Sequence, residues 1–410
     1  MESIKELFRI GVGPSSSHTM GPRRAALQFL ARNPQAAAYQ VTLYASLAAT
    51  GRGHLTDAAL NSVFGGGNLQ ILWKPDERLP MHPNGMRFEA FGVDGVLQAS
   101  WEVYSVGGGA LRSAGQAEPG ALPPESELYD LNNMREILEH CKHSGQAFWE
   151  YVQEREGPEI WEHLARVWKV MRAAVERGLR AEGVLPGGLG LARKSWSFYR
   201  KASLSGPALQ RAGFLSAYAL AVSEENASGG EIVTAPTCGS SGVLPAVLYY
   251  LQGVLNCSDE AVLRAIATAG LIGNLAKQNA SISGAEVGCQ GEVGVACAMA
   301  AGAAAQLMGG TGRHIEYAAE MGLEHNLGLT CDPVAGLVQI PCIERNAFAA
   351  AQALASADYA LFTDGAHRIS YDEVLAVMRE TGAAMPSLYR ETSTGGLAAA
   401  YSRRKRLRKG

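Results

Sequence analysis

The sequence predicts an α+β protein: a small N-terminal α/β domain over residues 1–126, then a larger, mostly all-α domain over residues 127–410. Three observations predict it. Alternating and β-rich runs, interleaved with helical spacing, fill the first 110 or so residues. A stretch from Ser113 to Ser126, rich in Gly, Pro and Ala, has the composition of a linker. Beyond it, apolar residues recur at helical spacing and almost no strand signature remains to the C-terminus.

Taken in order, residues 3–12 read as a short apolar helix or strand entering a turn. Gly13-Pro-Ser15-Ser16-Ser17-His18-Thr19 follows, and helix runs on through Arg24 and beyond. Val41–Ser46 alternates as a strand does. Thr50-Gly-Arg-Gly-His54-Leu-Thr56-Asp57 then repeats the pattern of glycine turn, histidine, hydroxyl and helix. Residues 68–73 and 86–106 are β-rich and end in Gly107-Gly-Gly109. After the linker, Tyr129–Cys141, Gly145–Gln153 and Glu159–Arg180 carry apolar stripes with charged opposite faces. Ala261–Ala276, Val293–Leu307 and Arg345–Phe362 are Ala-rich and apolar on most faces, so they predict buried helices. No repeat of 20–50 residues is evident.

Composition narrows the function. A chain of 410 residues is long enough for two or three domains and a large core. A net charge of −3 gives no field for nucleic acid, and the basic run Arg403–Lys409 reads as a solvated tail. No unbroken window of 18 apolar residues predicts a membrane span. Met1-Glu-Ser-Ile-Lys-Glu-Leu has charges where a signal peptide needs an apolar run, so a cytoplasmic protein is expected. Seven cysteines, an odd count in a long chain, argue against a disulfide framework.

Three of those cysteines sit in irregular, glycine- and proline-rich sequence: Cys289 in Ser283-Gly-Ala-Glu-Val-Gly-Cys-Gln-Gly-Glu292, and Cys331 and Cys342 within His325–Arg345. Such backbone breaks helix, which places each thiol at an element end or on a loop. Close Cys-x-x-Cys pairs are missing, which argues against structural zinc and against a ferredoxin-type carrier. Three widely separated thiols suit a metal site; on spacing alone, three buried structural cysteines suit the pattern equally. Cys257 and Cys297 read as packing residues. Ser15–Ser17 before a helix offer an N-cap with spare donors for a carboxylate or phosphate. A plain Ser-rich cap serves the same pattern, and His18 tips the reading toward anion binding, since a cap needs no imidazole.

Gly13-Pro-Ser-Ser-Ser-His-Thr19, Gly53-His54 with Thr56-Asp57, Thr234-Ala-Pro-Thr237, Ser281–Glu292, His325–Asn346 and Tyr389-Arg-Glu-Thr-Ser-Thr-Gly-Gly-Leu397 together resemble the iron–sulfur-dependent L-serine dehydratases of single-chain type, whose β domain precedes the α domain. The resemblance covers nearly the whole chain and keeps the motif order. It implies a [4Fe-4S] cluster on Cys289, Cys331 and Cys342, with L-serine bound by its hydroxyl at the open iron. It also implies loss of the Cα proton to a base, and release of pyruvate and ammonia. Ser15, Ser16, Ser17 and Thr19 would hold the substrate carboxylate, and His54 or His18 would take the proton, His54 being favoured. His325 is a third histidine, suited to a supporting role beside the cofactor. The expected partners are L-serine and a second copy in a homodimer, with neither nucleic acid nor membrane.

Three departures from the family pattern stand out. Members of this type end in a cysteine soon after Gly-Gly-Leu, whereas here Gly395-Gly-Leu397 runs into Ala-Ala-Ala-Tyr-Ser-Arg-Arg, with Arg404 about where it would fall. Thr-Ala-Pro-Thr-Asn-Gly reads Thr234-Ala-Pro-Thr-Cys238-Gly, which makes Cys238 a candidate internal cap. The β domain is shortened between Gly65 and Gly85. Competing functions are a cluster-dependent dehydratase of another β-hydroxy amino acid, a pyridoxal-phosphate enzyme using Lys194 or Lys277, and a non-catalytic amino-acid sensor.

Overall fold

In the computed structural model, residues 1–65, 67–113 and 128–407 are described. The linker beyond Ser113, and with it the expected boundary at 126/127, lies outside them. The strands are β1 (Ile10–Val12), β2 (Ala38–Tyr44), β3 (Leu69–Lys74), β4 (Gly85–Phe91), β5 (Leu97–Ser105), β6 (Leu111–Ser113) and β7 (Glu231–Val233). Five of them form one sheet in the order β3-β2-β4-β5-β6. Only β2 and β3 pair in parallel, and the crossover between them carries the helices Ala45–Thr50 and Thr56–Phe64.

Alternation sorts the faces of this sheet. Val41, Leu43, Met86, Phe88, Ala90, Trp101 and Val103 point one way and pack on Ala25, Ala26, Phe29, Leu60 and Phe64 of the helices Gly21–Arg32 and Thr56–Phe64. Arg87 and Glu102 lie on the other face and pair at 3.2 Å. Alternation places β2 and a β-rich run places β3 within a few residues, whereas the single run 86–106 is divided into β4 and β5.

The second layer is helical. Ile160–Arg180 and Val293–Leu307 form where the apolar spacing predicts them. Val293–Leu307 is the central rod, buried from Val293 to Ala305. Its small residues let neighbours approach closely: a Cβ on Gly302 would stand 2.2 Å from Ile272 Cδ1. The predicted Arg345–Phe362 helix begins three residues earlier, at Cys342. Among the described residues no single helix is long and apolar enough to cross a membrane.

The first residues belong to the helical layer. Met1, Ile4, Leu7 and Phe8 are buried in its core. Glu156, itself buried, accepts from Ile4 N at 2.7 Å, Ser3 Oγ at 2.6 Å and Tyr129 Oη at 2.8 Å. β1 then pairs antiparallel with β7, next to Thr234, whose hydroxyl donates to Leu7 O at 2.6 Å. Local spacing in residues 3–12 gave no sign that their partners lie more than 150 residues away.

Candidate active site

Three helices start around one small cavity. Cys342 is the first residue of Cys342–Leu361, Glu292 caps Val293–Leu307, and the turn Thr237–Gly242 leads into Val243–Leu255. Asn346 ties two of these starts together: its Oδ1 accepts from Gly242 N at 2.9 Å, and its Nδ2 donates to Gly239 O and Cys342 O at 2.7 and 2.8 Å. Helix N-termini carry partial positive charge, a favourable setting for thiolates. Cys289 lies on a short 3₁₀ turn, and Cys331 on a loop.

The three thiols line this cavity together with Pro14, Ser15, His54, Gly239, Glu292 and Glu391. Thiols of Cys289 and Cys331 and the Glu292 carboxylate lie within 4.8 Å of one another. Glu292 Oε2 is 3.8 Å from Cys289 Sγ and 3.7 Å from Cys331 Sγ, while its Oε1 accepts from Thr237 Oγ1 at 2.9 Å. A Cβ on Gly284 would stand 2.8 Å from Glu292 Oε2 and 3.2 Å from Cys331 Sγ, so glycine keeps this wall open. A hydrogen bond from Cys331 draws the Cys289 thiol down to about 7 against its burial, and the Arg345 guanidinium helps. The same bond, with burial, pushes Cys331 up; burial pushes Cys342 and Glu292 up. Three soft donors converging from separate elements on one cavity fit a group held by three thiolates.

The two histidine motifs lock onto each other. Thr19 Oγ1 donates to His54 O at 2.7 Å, and Thr56 Oγ1 donates to His18 O at 2.6 Å. Thr19 also accepts from Ser15 N at 3.1 Å, so its hydroxyl is committed to the protein. Ser15 caps the turn by accepting from His18 N at 3.1 Å, and its hydroxyl stands 3.3 Å from Ser17 Oγ. Ser16 is buried in the same turn, a five-residue π-type start that leads straight into Gly21–Arg32.

His54 is fully enclosed, and its hydrogen bonds fix its tautomer. Thr50 Oγ1 donates to Ser46 O at 3.0 Å, so it can only accept from His54 Nδ1, 3.1 Å away. The proton then sits on Nδ1 and the lone pair on Nε2. Burial, with His18 adding to it, draws the His54 imidazole down to about 3, which keeps it neutral. Its ring centroid is 4.5 Å from that of His18.

Glu391 is the residue that sequence reasoning missed here. It lies inside Tyr389–Leu397, whose role local patterning left open. This segment clamps Cys331: Cys331 N donates to Tyr389 O at 2.8 Å, and Thr392 N to Cys331 O at 3.1 Å. It carries Glu391 Oε1 to 3.0 Å from His18 Nδ1 and 3.1 Å from Ser17 Oγ. Burial works to raise this carboxyl, but His18, His54 and Ser17 outweigh it and hold it at about 2. Arg345 and Glu292 were also unassigned, although both fall within or beside the quoted cysteine motifs. Asn84, Ser105 and Ser283 are buried with side-chain polar atoms that lack partners.

A family model described as the serine dehydratase alpha chain matches residues 114–398, and one described as the serine dehydratase beta chain matches 3–68 and 64–116. The chain belongs to the serine dehydratase family. The L-serine dehydratase of Streptomyces coelicolor is 43% identical over 446 residues, covering 97% of this chain and 98% of that protein. L-serine dehydratase 1 of Escherichia coli is 40% identical, covering 97% and 99%. The L-serine dehydratase of Helicobacter pylori is 37% identical, covering 97% and 98%. The two pieces of the beta-chain match meet at 64–68, where the shortened stretch of the domain begins.

Within this serine dehydratase fold, several expectations are corrected. His325 does not support the cysteine site: it is exposed at the end of Gly312–Glu324, with Nδ1 3.0 Å from Met321 O. Cys238 turns its thiol to Met20 Sδ at 3.3 Å, in an apolar cluster with Val175, Val222 and Ile232, and only its neighbour Gly239 lines the cavity. It is therefore not aimed as a cap. Arg404 is exposed on the helix Gly396–Leu407. Lys194 pairs with Glu344 at 3.2 Å and Lys277 with Glu2 at 2.5 Å, so neither lysine lines the thiol cavity.

Proposed function

We propose that this chain is an L-serine ammonia-lyase that converts L-serine to pyruvate and ammonia. The observation that carries it is the convergence of Cys289, Cys331 and Cys342 with His54 and Ser15 on one cavity between the two domains. The relatives' names supply the substrate. Cys289, Cys331 and Cys342 would hold a [4Fe-4S] cluster. Held by three thiolates, such a cluster supplies one open iron as a Lewis acid that eases loss of a hydroxyl group.

The remaining work falls to the protein. Ser15 and Ser16 offer hydroxyls at the head of a helix for the substrate carboxylate, whereas Ser17 gives its proton to Glu391. Thr19 and Thr56 hold the two histidine loops in register instead of touching substrate. His54, neutral and with its lone pair on Nε2, takes the Cα proton. Its lowered basicity makes it a weak base, and the Glu391 carboxylate offsets part of what burial costs the imidazolium that forms. Loss of the Cα proton and of hydroxide from Cβ leaves 2-aminoacrylate. This tautomerises to the imine, and water hydrolyses it to pyruvate and ammonia. The homodimer implied by the resemblance is part of the proposal, and sedimentation of the purified protein tests it.

The test of the activity is anaerobic reconstitution with iron and sulfide, followed by assay of pyruvate from L-serine. Iron-dependent turnover supports the reading. A reconstituted, folded protein that binds L-serine without consuming it would point to the sensor alternative.

A further inference from the structure

The carboxylate of Glu391 has one oxygen in use and one free. Oε1 accepts from Ser17 Oγ and faces His18 Nδ1. Oε2 is buried without a hydrogen-bond partner, in a residue only 5% exposed. The backbone there is left-handed, with φ 47°, a conformation that side chains larger than glycine rarely hold. An unpartnered anionic oxygen and a disfavoured backbone coincide at one residue, and that residue lines the cavity with His54 and the three cysteines. Buried polar atoms without partners are rare and call for a ligand or a function.

We propose that Glu391 Oε2 receives the α-ammonium group of the substrate and so makes the site select 2-amino-3-hydroxy acids over plain 3-hydroxy acids. The inference rests on the dehydratase reading above. A 2-amino-3-hydroxy acid presents a carboxylate, a hydroxyl, a Cα–H and an ammonium. The serine hydroxyls, the open iron and His54 answer the first three. The ammonium needs an anion, and the lining of the cavity contains two carboxylates, Glu292 and Glu391. Glu292 Oε1 accepts from Thr237, and its Oε2 lies among the thiols, on the side of the cavity that the cluster would take. Glu391 has its spare oxygen and stands with the histidines instead. The geometry suits a single Cα: ring nitrogens of His18 and His54 and a carboxylate oxygen of Glu391 lie within 4.8 Å of one another. One Cα between His54 and Glu391 can turn its hydrogen to the imidazole and its nitrogen to the carboxylate.

The test compares L-serine with 3-hydroxypropanoate, which lacks the amino group, on reconstituted wild type and Glu391→Gln. Glutamine keeps an acceptor for Ser17 and removes the charge. The expected result is a loss of about tenfold to a hundredfold in L-serine binding, read as KM and by calorimetry. Calorimetric affinity for 3-hydroxypropanoate should hold or improve. Equal weakening of both ligands would overturn the proposal, because it would mean that Glu391 acts only by positioning His18. Unchanged L-serine binding would overturn it as well. Glu391→Asp, which keeps the charge on a shorter arm, should retain the preference for the amino acid, and it serves if the glutamine variant folds poorly. If wild type binds L-serine without turning it over, the dehydratase reading fails, and the calorimetric comparison still decides the role of Glu391.

Discussion

Replacing Thr50 with valine tests the assignment of His54 as base without touching the ring. Valine matches threonine in shape, and Thr50 is buried, so the packing around it stays. What is lost is the acceptor 3.1 Å from His54 Nδ1. An orphaned buried N–H costs about 1–3 kcal/mol. The ring can escape that cost by moving its proton to Nε2, which leaves the lone pair on the wrong nitrogen. To the extent that the proton moves, the competent tautomer is depleted, by at most that free energy. At about 1.4 kcal/mol per factor of ten, kcat should fall by up to roughly 5- to 150-fold, with KM for L-serine little changed. Thr50→Ser keeps the acceptor and should recover most of the rate. Pyruvate formation, followed with lactate dehydrogenase and NADH on reconstituted protein at matched iron content, is the assay. A Thr50→Val enzyme with wild-type kcat would refute the tautomer argument and, with it, proton transfer to Nε2 of His54.

Further predictions concern the cofactor cavity and the buried charges. Cys289→Ala, Cys331→Ala and Cys342→Ala should each abolish iron retention after reconstitution, whereas Cys141→Ala, Cys238→Ala and Cys257→Ala should not; iron and sulfide analysis of the six variants decides. Gly284→Ala puts a methyl group 2.8 Å from Glu292 Oε2 and 3.2 Å from Cys331 Sγ. Iron loading should fall, because the methyl group forces Glu292 or Cys331 to shift; iron analysis of the reconstituted variant, with its circular dichroism as a check on folding, decides. A third prediction follows from Glu320, buried on Gly312–Glu324, where burial, with Glu324 and Glu316 adding to it, raises the carboxyl from 4.5 to about 8. Between those values the fold keeps a proton that the unfolded chain releases, so this group lowers stability as pH rises from 4.5 to 8. Glu320→Gln should therefore raise the melting temperature by on the order of 2 °C above pH 8, with little gain near pH 4.5. A gain that is equal at both ends would show that Glu320 does not titrate this way.

The legible parts of this fold are those set by local patterning. Ile160–Arg180 follows from apolar spacing, Val293–Leu307 from its all-round apolar composition, β2 from alternation, and β3 to β5 from two β-rich runs, the second of which the structure splits into a hairpin. The cysteines follow from breakers nearby: Pro341 sits at the cap of the helix that Cys342 opens, and Gly288 begins the turn that holds Cys289. The illegible parts depend on contacts distant in sequence. Glu391 meets His18 across more than 370 residues, and no spacing within Tyr389–Leu397 marks its carboxylate as the one that turns inward. Cys238 sits one residue from the cavity wall, and only the direction of its side chain separates a ligand from a packing residue. His325 shows the converse, since a place inside a cofactor motif did not bring its ring to the cofactor side.

The buried stretch from Met1 to Phe8 changes what counts as a severable part of this protein. In sequence the sheet domain comes first, but in space the chain begins inside the helical layer, leaves along β1, builds the sheet, and comes back. The sheet domain is thus a large excursion anchored at its entrance by Glu156 and β7. A truncation starting near residue 128 would take away Ile4, Leu7 and Phe8, leaving Gly270 and Gly273 facing the hole they filled. Anyone wishing to produce the cysteine-bearing half alone would do better to excise the sheet and rejoin the ends, keeping the first twelve residues. The same anchoring couples the halves mechanically. The Ser15–His18 turn follows directly on β1, so the ribbon that β1 forms with β7 ties that turn to the helical layer.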